Sequence, residues 1–177
     1  DEPAAIVYQR IEEIPYFVPA AQSFDFSMAK RDVEFIAPEL WEEYYQTVLA
    51  ERVTDVPSDN LNLLYTPLCG TGNKPVRTVL GRIGVNVAVV PAQEKPDGDF
   101  KTCEYPNPET DAALNESYKI ARSTHPDLIL GTDPDCDRVA VAVPAGDGFR
   151  KLSGNELGCL LLDYILGELT AKGRLPR

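Results

Sequence analysis

The pattern of hydrophobic and polar residues changes about a third of the way along the chain. Residues 1–36 mix apolar and polar positions with weak periodicity, which is typical of a connecting segment or a peripheral piece. Residues 37–52 are predicted to form a helix, because Pro38 suits a first-turn position and an apolar stripe follows it at helical spacing. The stripe consists of Leu40, Trp41, Tyr44, Val48 and Leu49. We therefore expect a linker segment and a helix over residues 1–60, and a folded domain over residues 61–177.

Beyond this point, short apolar runs alternate with helical patterns. Strands are predicted at residues 61–65, 86–90, 127–132 and 139–144. Helices are predicted over residues 75–83, over residues 107–122 with Asn107 as N-cap, and after a capping box of Ser153 and Glu156 up to Gly173. The alternation predicts an α/β domain with three layers, a mixed and mostly parallel sheet with flanking helices. The loop between the last two strands is too short for a crossover, so we expect one antiparallel strand after it.

Composition and charge narrow the classes of function. The 177 residues are 44% hydrophobic, which suits one globular domain with a core. A net charge of −11 and a pI near 4.5 disfavour nucleic acid or an anionic membrane surface as the main partner. No apolar run approaches the roughly 18 residues of a transmembrane helix, and the start of the chain has no apolar signal-peptide region. We expect no nucleic acid and no membrane as partners.

The termini and the cysteines add two further expectations. The chain opens on Asp1 rather than Met and stops on "GRLPR", so we expect it to be a fragment of a longer polypeptide. Its four cysteines form no C-x-x-C pair, and His125 is the only histidine, which disfavours a zinc site. Scattered cysteines in an acidic domain are typical of reduced thiols, and we expect a cytoplasmic location.

The stretch "GTDPDCDR" carries the clearest candidate chemistry. It places Asp133, Asp135 and Asp137 at every second position, with Arg138 directly after. Carboxylates held this close repel one another, and a hard divalent cation removes that cost. Oxygen ligands favour Mg²⁺, Mn²⁺ or Ca²⁺ over zinc. We predict a metal site, with a solvated acidic turn as the alternative that the stiffening by Pro134 disfavours.

Two known kinds of acidic site were compared with this loop. An EF-hand requires Gly at position 6 and Glu at position 12, and the residues at these positions after Asp133 are Arg138 and Pro144, which excludes it. A haloacid-dehalogenase-type phosphatase carries D-x-D-x-T/V, and the fifth position here is Asp137. The match is partial, so a stand-alone Mg²⁺-dependent phosphatase stays open, with Asp133 as nucleophile and Asp135 as acid.

Four stretches, in the same order, resemble the α-D-phosphohexomutases, the phosphoglucomutase and phosphomannomutase family. "TDPDCDR" resembles the metal-binding D-x-D-x-D-R loop of that family. The other three are "YTPLCGTGNKPVRTVL" (65–80), "PDGDFKTCEYPNPET" (96–110) and "LSGNELGCLLLDYIL" (152–166). The resemblance covers roughly residues 60–177 and is to the second, metal-binding domain of a four-domain enzyme. It is strongest to bacterial phosphoglucomutases and phosphopentomutase-like members.

The resemblance implies a chemistry that the whole enzyme performs. A phosphoserine donates its phosphoryl group to a sugar monophosphate, and the bisphosphate sugar reorients and returns its other phosphoryl group. This interconverts hexose 1- and 6-phosphates. By resemblance, Asp133, Asp135 and Asp137 hold Mg²⁺, and Arg138 contacts phosphate oxygens as a catalytic residue, with pairing to a neighbouring carboxylate as its alternative role.

The departures from the family pattern limit what the chain does alone. The phosphoserine of the family lies in a Ser-His-Asn-Pro motif of the first domain, and this sequence has no Ser-His dipeptide. The similar "STHP" stretch around His125 is interpreted as a connection with a surface or loop histidine. We expect no activity from the isolated fragment, which would meet its sugar phosphate substrate together with the missing domains. A non-enzymatic interaction domain that kept the fold is a further alternative.

A second loop, "GTGNKP" at residues 70–75, precedes a predicted helix. It is not a Walker A motif, because no Ser or Thr follows its lysine. A tight strand-to-helix turn and an edge of the active site are about equally supported. Lys74 and Arg77 either face a cleft or lie on a solvated helix face.

Overall fold

The computed structural model describes residues 2–14, 34–55 and 60–175. The chain divides into two compact units, Asp1–Pro38 and Glu39–Arg177. The first unit contains helix α1 (Glu2–Glu12), which the weak periodicity of the sequence did not predict. Most of the predicted connecting segment, residues 15–33, lies outside the described residues.

The other elements follow the predicted alternation of strands and helices. They are α2 (Pro38–Ala50), β1 (Asn62–Thr66), α3 (Asn73–Arg82), β2 (Asn86–Val89), α4 (Asn115–Thr124), β3 (Leu128–Thr132), β4 (Val139–Ala145), β5 (Gly148–Lys151) and α5 (Gly154–Ala171). Short 3₁₀ turns lie at Pro91–Gln93 and Ala112–Leu114. All four predicted strands are confirmed, and so are the helices predicted at α2 and α3.

The five strands in the described part of the chain form one mixed sheet in the order β2-β1-β3-β4-β5. Strands β2, β1 and β3 are parallel, and β4 is antiparallel to β3. Strand β5 is in turn antiparallel to β4, so β4 is the one strand that runs against the others. The predicted mixed, mostly parallel sheet, with one antiparallel strand after the acidic loop (residues 133–138), is confirmed. The sequence did not reveal β5, a four-residue strand with only one large apolar residue, Phe149.

Side chains that alternate along the interior strand β1 enter two cores, one on each face of the sheet. Successive side chains of a strand point to opposite faces of the sheet. Leu63 and Tyr65 pack on the face covered by α3, where Val76, Leu80 and Ile83 meet them. Leu64 lies in the other core, with Ile129 of β3 and Ala121 of α4. Because both faces of β1 are covered, four of its five residues are buried, as expected for a parallel strand.

The helix predicted to begin at Asn107 is wrong over its first half. Asn107 Oδ1 accepts a hydrogen bond from the backbone N–H of Glu109 at 3.0 Å, which closes a local turn. The α-helix begins only at Asn115, after the buried Ala113 and Leu114 have turned into the core. In both an N-cap and an Asx turn, a side-chain oxygen accepts a hydrogen bond from the backbone N–H two residues on, so the two share one sequence signal.

Helix α5 has the predicted capping box. Ser153 Oγ accepts from the N–H of Glu156 at 3.2 Å, and a Glu156 carboxylate oxygen accepts from the N–H of Ser153 at 2.8 Å. The backbone bond with Ser153 and the ion pair with Arg150 lower the pKa of Glu156 to about 2. Gly173, at φ 64°, follows the end of the helix as predicted. No helix in the described part of the chain has both the length and the apolar character needed to span a bilayer.

Candidate metal centre

The acidic loop lies at the carboxyl edge of the sheet, between β3 and β4. The loop that follows β1, residues 67–72, lies beside it because β1 and β3 are parallel neighbours. Helices α3 and α4 leave this edge towards opposite faces of the sheet. A crevice outside the carboxyl ends of strands whose connections diverge in this way is the usual ligand position in open α/β sheets.

The loop brings the three predicted carboxylates together. One oxygen from each of Asp133, Asp135 and Asp137 lies within 4.8 Å of the others. Asp133 is 2% exposed, whereas Asp135 and Asp137 are open to solvent. The donor set therefore combines one buried carboxylate with two exposed carboxylates at the surface. Binding of a metal ion by this set stays a prediction.

A tight turn produces this convergence. The N–H of Cys136 donates to the carbonyl of Asp133 at 3.0 Å, and the N–H of Asp133 donates to the carbonyl of Arg138 at 3.4 Å. Cys136 has a φ of 67°, a left-handed conformation that is uncommon for a residue with a side chain. The turn folds the loop back on itself, so positions two and four residues apart reach the same point.

The buried carboxylate is held by Arg138. The backbone N–H of Arg138 donates to Asp133 Oδ1 at 2.9 Å, and its Nε lies 3.1 Å from Oδ2. Burial opposes ionisation of Asp133, but these hydrogen bonds and those with the neighbouring carboxyl groups prevail and lower its pKa. The pKa of Asp137 is raised, first by its hydrogen bond with Asp133 and then by repulsion from Asp135. The cluster is thus under the internal repulsion that a cation would relieve.

The alternative considered for Arg138 is present in the structure. Its Nε also lies 3.5 Å from Asp137 Oδ1, so the guanidinium pairs with carboxylates on both sides of the turn. The side chain is nevertheless 51% exposed. Contact with a phosphate group stays a prediction for Arg138.

The loop after β1, whose role the sequence left open, contacts the acidic loop directly. Thr71 donates to the carbonyl of Pro134 twice, from its N–H at 2.8 Å and from Oγ1 at 3.1 Å. A Cβ on Gly70 would lie 2.3 Å from Pro134 Cα, so the two backbones are in direct contact. A Cβ on Gly72 would lie 2.8 Å from Cys136 Sγ. The only sequence signal for this contact was a pair of glycines flanking a threonine after a strand.

The structure also places Arg77, Lys74 and His125, the other polar residues considered from the sequence. Arg77 Nη1 is 2.6 Å from a carboxylate oxygen of Glu94. The Lys74 ammonium lies 5.6 Å from the centre of the Trp41 ring, a cation–π contact. His125 ends α4 in a left-handed conformation and is exposed, as a connecting residue would be.

Comparison with known proteins identifies the family. A family model described as "Phosphoglucomutase/phosphomannomutase, alpha/beta/alpha domain II" matches residues 42–146, more than half of the chain. The chain belongs to this family. The predicted resemblance to this family is thereby confirmed, and three of the four stretches lie within the matched residues. The mixed α/β sheet is consistent with the fold of a phosphoglucomutase/phosphomannomutase domain II.

Several curated members of the phosphoglucomutase/phosphomannomutase family are similar in sequence. A "Probable phosphomannomutase" of Haemophilus influenzae is 37% identical over 66% of this chain and 24% of its own length. A "Probable phosphoribomutase" of Schizosaccharomyces pombe is 36% identical over 65% of this chain and 20% of its own length. A "Phosphoglucomutase" of Staphylococcus epidermidis is 32% identical over 75% of this chain and 24% of its own length. The chain thus spans about a quarter or less of the length of these relatives.

Two solved structures share the fold. A phosphoglucomutase/phosphomannomutase family protein from Burkholderia thailandensis aligns with a TM-score of 0.59 at 16% identity, covering 72% of this chain and 26% of that chain. A putative phosphomannomutase from Thermus thermophilus aligns with a TM-score of 0.50 at 25% identity, covering 62% of this chain and 25% of that chain. The fold of this chain therefore matches about a quarter of each of these two solved chains.

Proposed function

We propose that this chain is the metal-binding domain of a phosphohexomutase that interconverts hexose 1- and 6-phosphates. The observation that carries the proposal is the meeting of three carboxylates within 4.8 Å in a phosphoglucomutase/phosphomannomutase domain II. The phosphoserine and the rest of the sugar phosphate site would come from other domains, and residues 61–177 would form the domain that supplies the metal. A cytoplasmic location belongs to the same proposal.

The residues present fit Mg²⁺. Its preferred ligands are carboxylate oxygens, and it commonly binds through few protein ligands together with a substrate phosphate. Asp133, Asp135 and Asp137 would hold the ion, and two of them are exposed and able to reach it from solvent. When bound, the ion would neutralise negative charge on a transferring phosphoryl group.

The chain's own residues prepare this site before any ligand arrives. Arg138 fixes the buried Asp133 with its backbone N–H and its Nε, so one ligand is already oriented. The same guanidinium is half exposed and carries further N–H donors, which match phosphate oxygens in geometry and charge. Phosphoryl transfer depends mainly on such positioning and charge neutralisation.

The phosphatase alternative gains no support from the comparisons. Asp133, which would be its nucleophile, is buried and bonded to Arg138, as is equally expected of a fixed metal ligand.

Manganese titration tests the proposed site, since Mn²⁺ accepts the same oxygen ligands and is visible by electron paramagnetic resonance. We expect weak, millimolar-range binding, on the order of 4 kcal/mol, because water must complete the shell. Asp137→Asn should weaken it, whereas Asp147→Asn, in the exposed turn between β4 and β5, should not. Equal binding by the parent and Asp137→Asn would refute the metal site.

An activity assay separates the enzyme classes. The chain alone, with Mg²⁺, glucose 1-phosphate and a bisphosphate primer, should show no mutase turnover, because it contains no Ser-His dipeptide. Release of inorganic phosphate, with a covalent phosphate on Asp133, would instead establish the phosphatase.

A further inference from the structure

The loop after β1 contacts the acidic loop at one backbone position. The carbonyl of Pro134 lies between the ligand residues Asp133 and Asp135 in sequence, and Thr71 donates to it from both its N–H at 2.8 Å and its Oγ1 at 3.1 Å. Two donors on one carbonyl oxygen restrict both its position and its direction. The backbone between the two neighbouring carboxylates is therefore bonded to a residue more than 60 positions earlier in the chain.

The backbone at Gly70 makes this contact closer than a side chain would allow. A Cβ on Gly70 would lie 2.3 Å from Pro134 Cα, 2.5 Å from its carbonyl oxygen and 2.7 Å from its carbonyl carbon. These are backbone atoms, which cannot rotate away as a flexible side chain can. A side chain at position 70 would therefore force the backbone of one of the two loops to shift.

The loop after β1 is itself fixed from beneath. The N–H of Cys69 donates to the carbonyl of Gln93 at 2.8 Å, and Thr66 Oγ1 donates to the Gln93 side-chain oxygen at 2.7 Å. Gln93 is fully buried. Tyr65 and Thr132 share a buried hydrogen bond of 2.8 Å, which joins the ends of β1 and β3 directly below the two loops. The loop after β1 is thus anchored to the sheet by these hydrogen bonds.

We propose that Thr71 and Gly70 are positioning residues for the metal site. They hold the backbone at Pro134 so that Asp133 and Asp135 present their oxygens to one point before the ion binds. Metal sites lose affinity when their ligands are free to move, because the ordering then has to occur on binding. The inference rests on the proposed function, since it concerns affinity for the ion that this site would hold.

The decisive variant is Thr71→Val, which keeps the shape and the N–H of Thr71 but removes the hydroxyl. We expect Mn²⁺, titrated alone, to bind about two- to tenfold more weakly, the effect of one hydrogen bond. Thr71→Ser restores the hydroxyl and should restore affinity. Because Thr71 is exposed, the melting temperature of the metal-free protein should barely change. A merely structural role would lower the melting temperature and leave affinity alone.

Matched controls come from elsewhere in the chain. Thr124→Val removes a hydroxyl that donates to the carbonyl of Ile120, also at 3.1 Å, and should leave Mn²⁺ binding unchanged. Gly70→Ala should weaken binding more than Thr71→Val, while Gly148→Ala, where a Cβ meets nothing within 4 Å, should have no effect.

The outcomes distinguish this inference from the proposed function. If the parent binds Mn²⁺ and Asp135→Asn weakens it, but Thr71→Val and Gly70→Ala bind as tightly as the parent, the positioning role is wrong and the metal site stands. If the parent binds no Mn²⁺, or Asp135→Asn binds equally well, the metal site is wrong and the positioning role falls with it.

Discussion

Replacing Asp135 with asparagine should change metal affinity and metal-free stability in opposite directions. Asp135 is the middle carboxylate of the acidic loop and is exposed, so the substitution removes a charge while preserving shape and leaving the core untouched. A solvated acidic turn would respond to the same change with little difference in either quantity. The opposite signs therefore report whether the three carboxylates act as one site.

The magnitudes follow from the spacing of the cluster. The three oxygens lie within 4.8 Å of one another, and a divalent ion placed at that distance from one carboxylate charge is attracted to it by about 1.7 kcal/mol in water. Losing that attraction weakens binding roughly twentyfold. Without metal, the repulsion between Asp135 and Asp133 at the same distance is about 0.9 kcal/mol in water. Its relief should raise the melting temperature by about 2–4 °C.

Calorimetric titration with Mg²⁺ and thermal melts with and without the ion measure both quantities on the same two proteins. We expect Mg²⁺ to raise the melting temperature of the parent more than that of Asp135→Asn. In chelator, Asp135→Asn should have the higher melting temperature. If Asp135→Asn binds Mg²⁺ as tightly as the parent, the interpretation of "GTDPDCDR" as a metal loop is refuted.

Three further predictions concern the stability of the domain. Ser153→Ala removes the cap of α5 and should cost about 1 kcal/mol in denaturant unfolding, whereas Ser153→Asp should retain most of it; equal losses would contradict the capping role. The pKa of Glu156 falls from 4.5 to about 2 on folding, so its contribution to stability is present above pH 4.5 and is lost as the pH falls towards 2. The melting temperature of Glu156→Gln should therefore depend less on pH across that window than that of the parent. Equal pH dependence of the two melting temperatures would contradict this role of Glu156. Leu64→Ala should cost about 2–5 kcal/mol because Leu64 is 1% exposed, while Leu161→Ala on exposed α5 should cost under about 1 kcal/mol, and similar losses at both sites would place the core wrongly.

Features that depend on neighbouring residues were predicted from the sequence. The apolar runs predicted β1 to β4, because a buried strand needs apolar side chains in succession whatever lies beside it. The capping box predicted the start of α5, because both of its hydrogen bonds join residues three apart. The same locality explains the acidic loop, where Asp133, Asp135 and Asp137 converge within a five-residue turn.

Other features were decided only when distant segments met. Asn107 forms a turn rather than a helix cap because Ala113 and Leu114, six and seven positions later, are buried in the core. Thr71 contacts Pro134 because β1 pairs with β3 in parallel and brings the loops after both strands to one edge. A sequence records each loop's chemistry but not its neighbour across the sheet, since strand order and register are set by the packing of the whole domain.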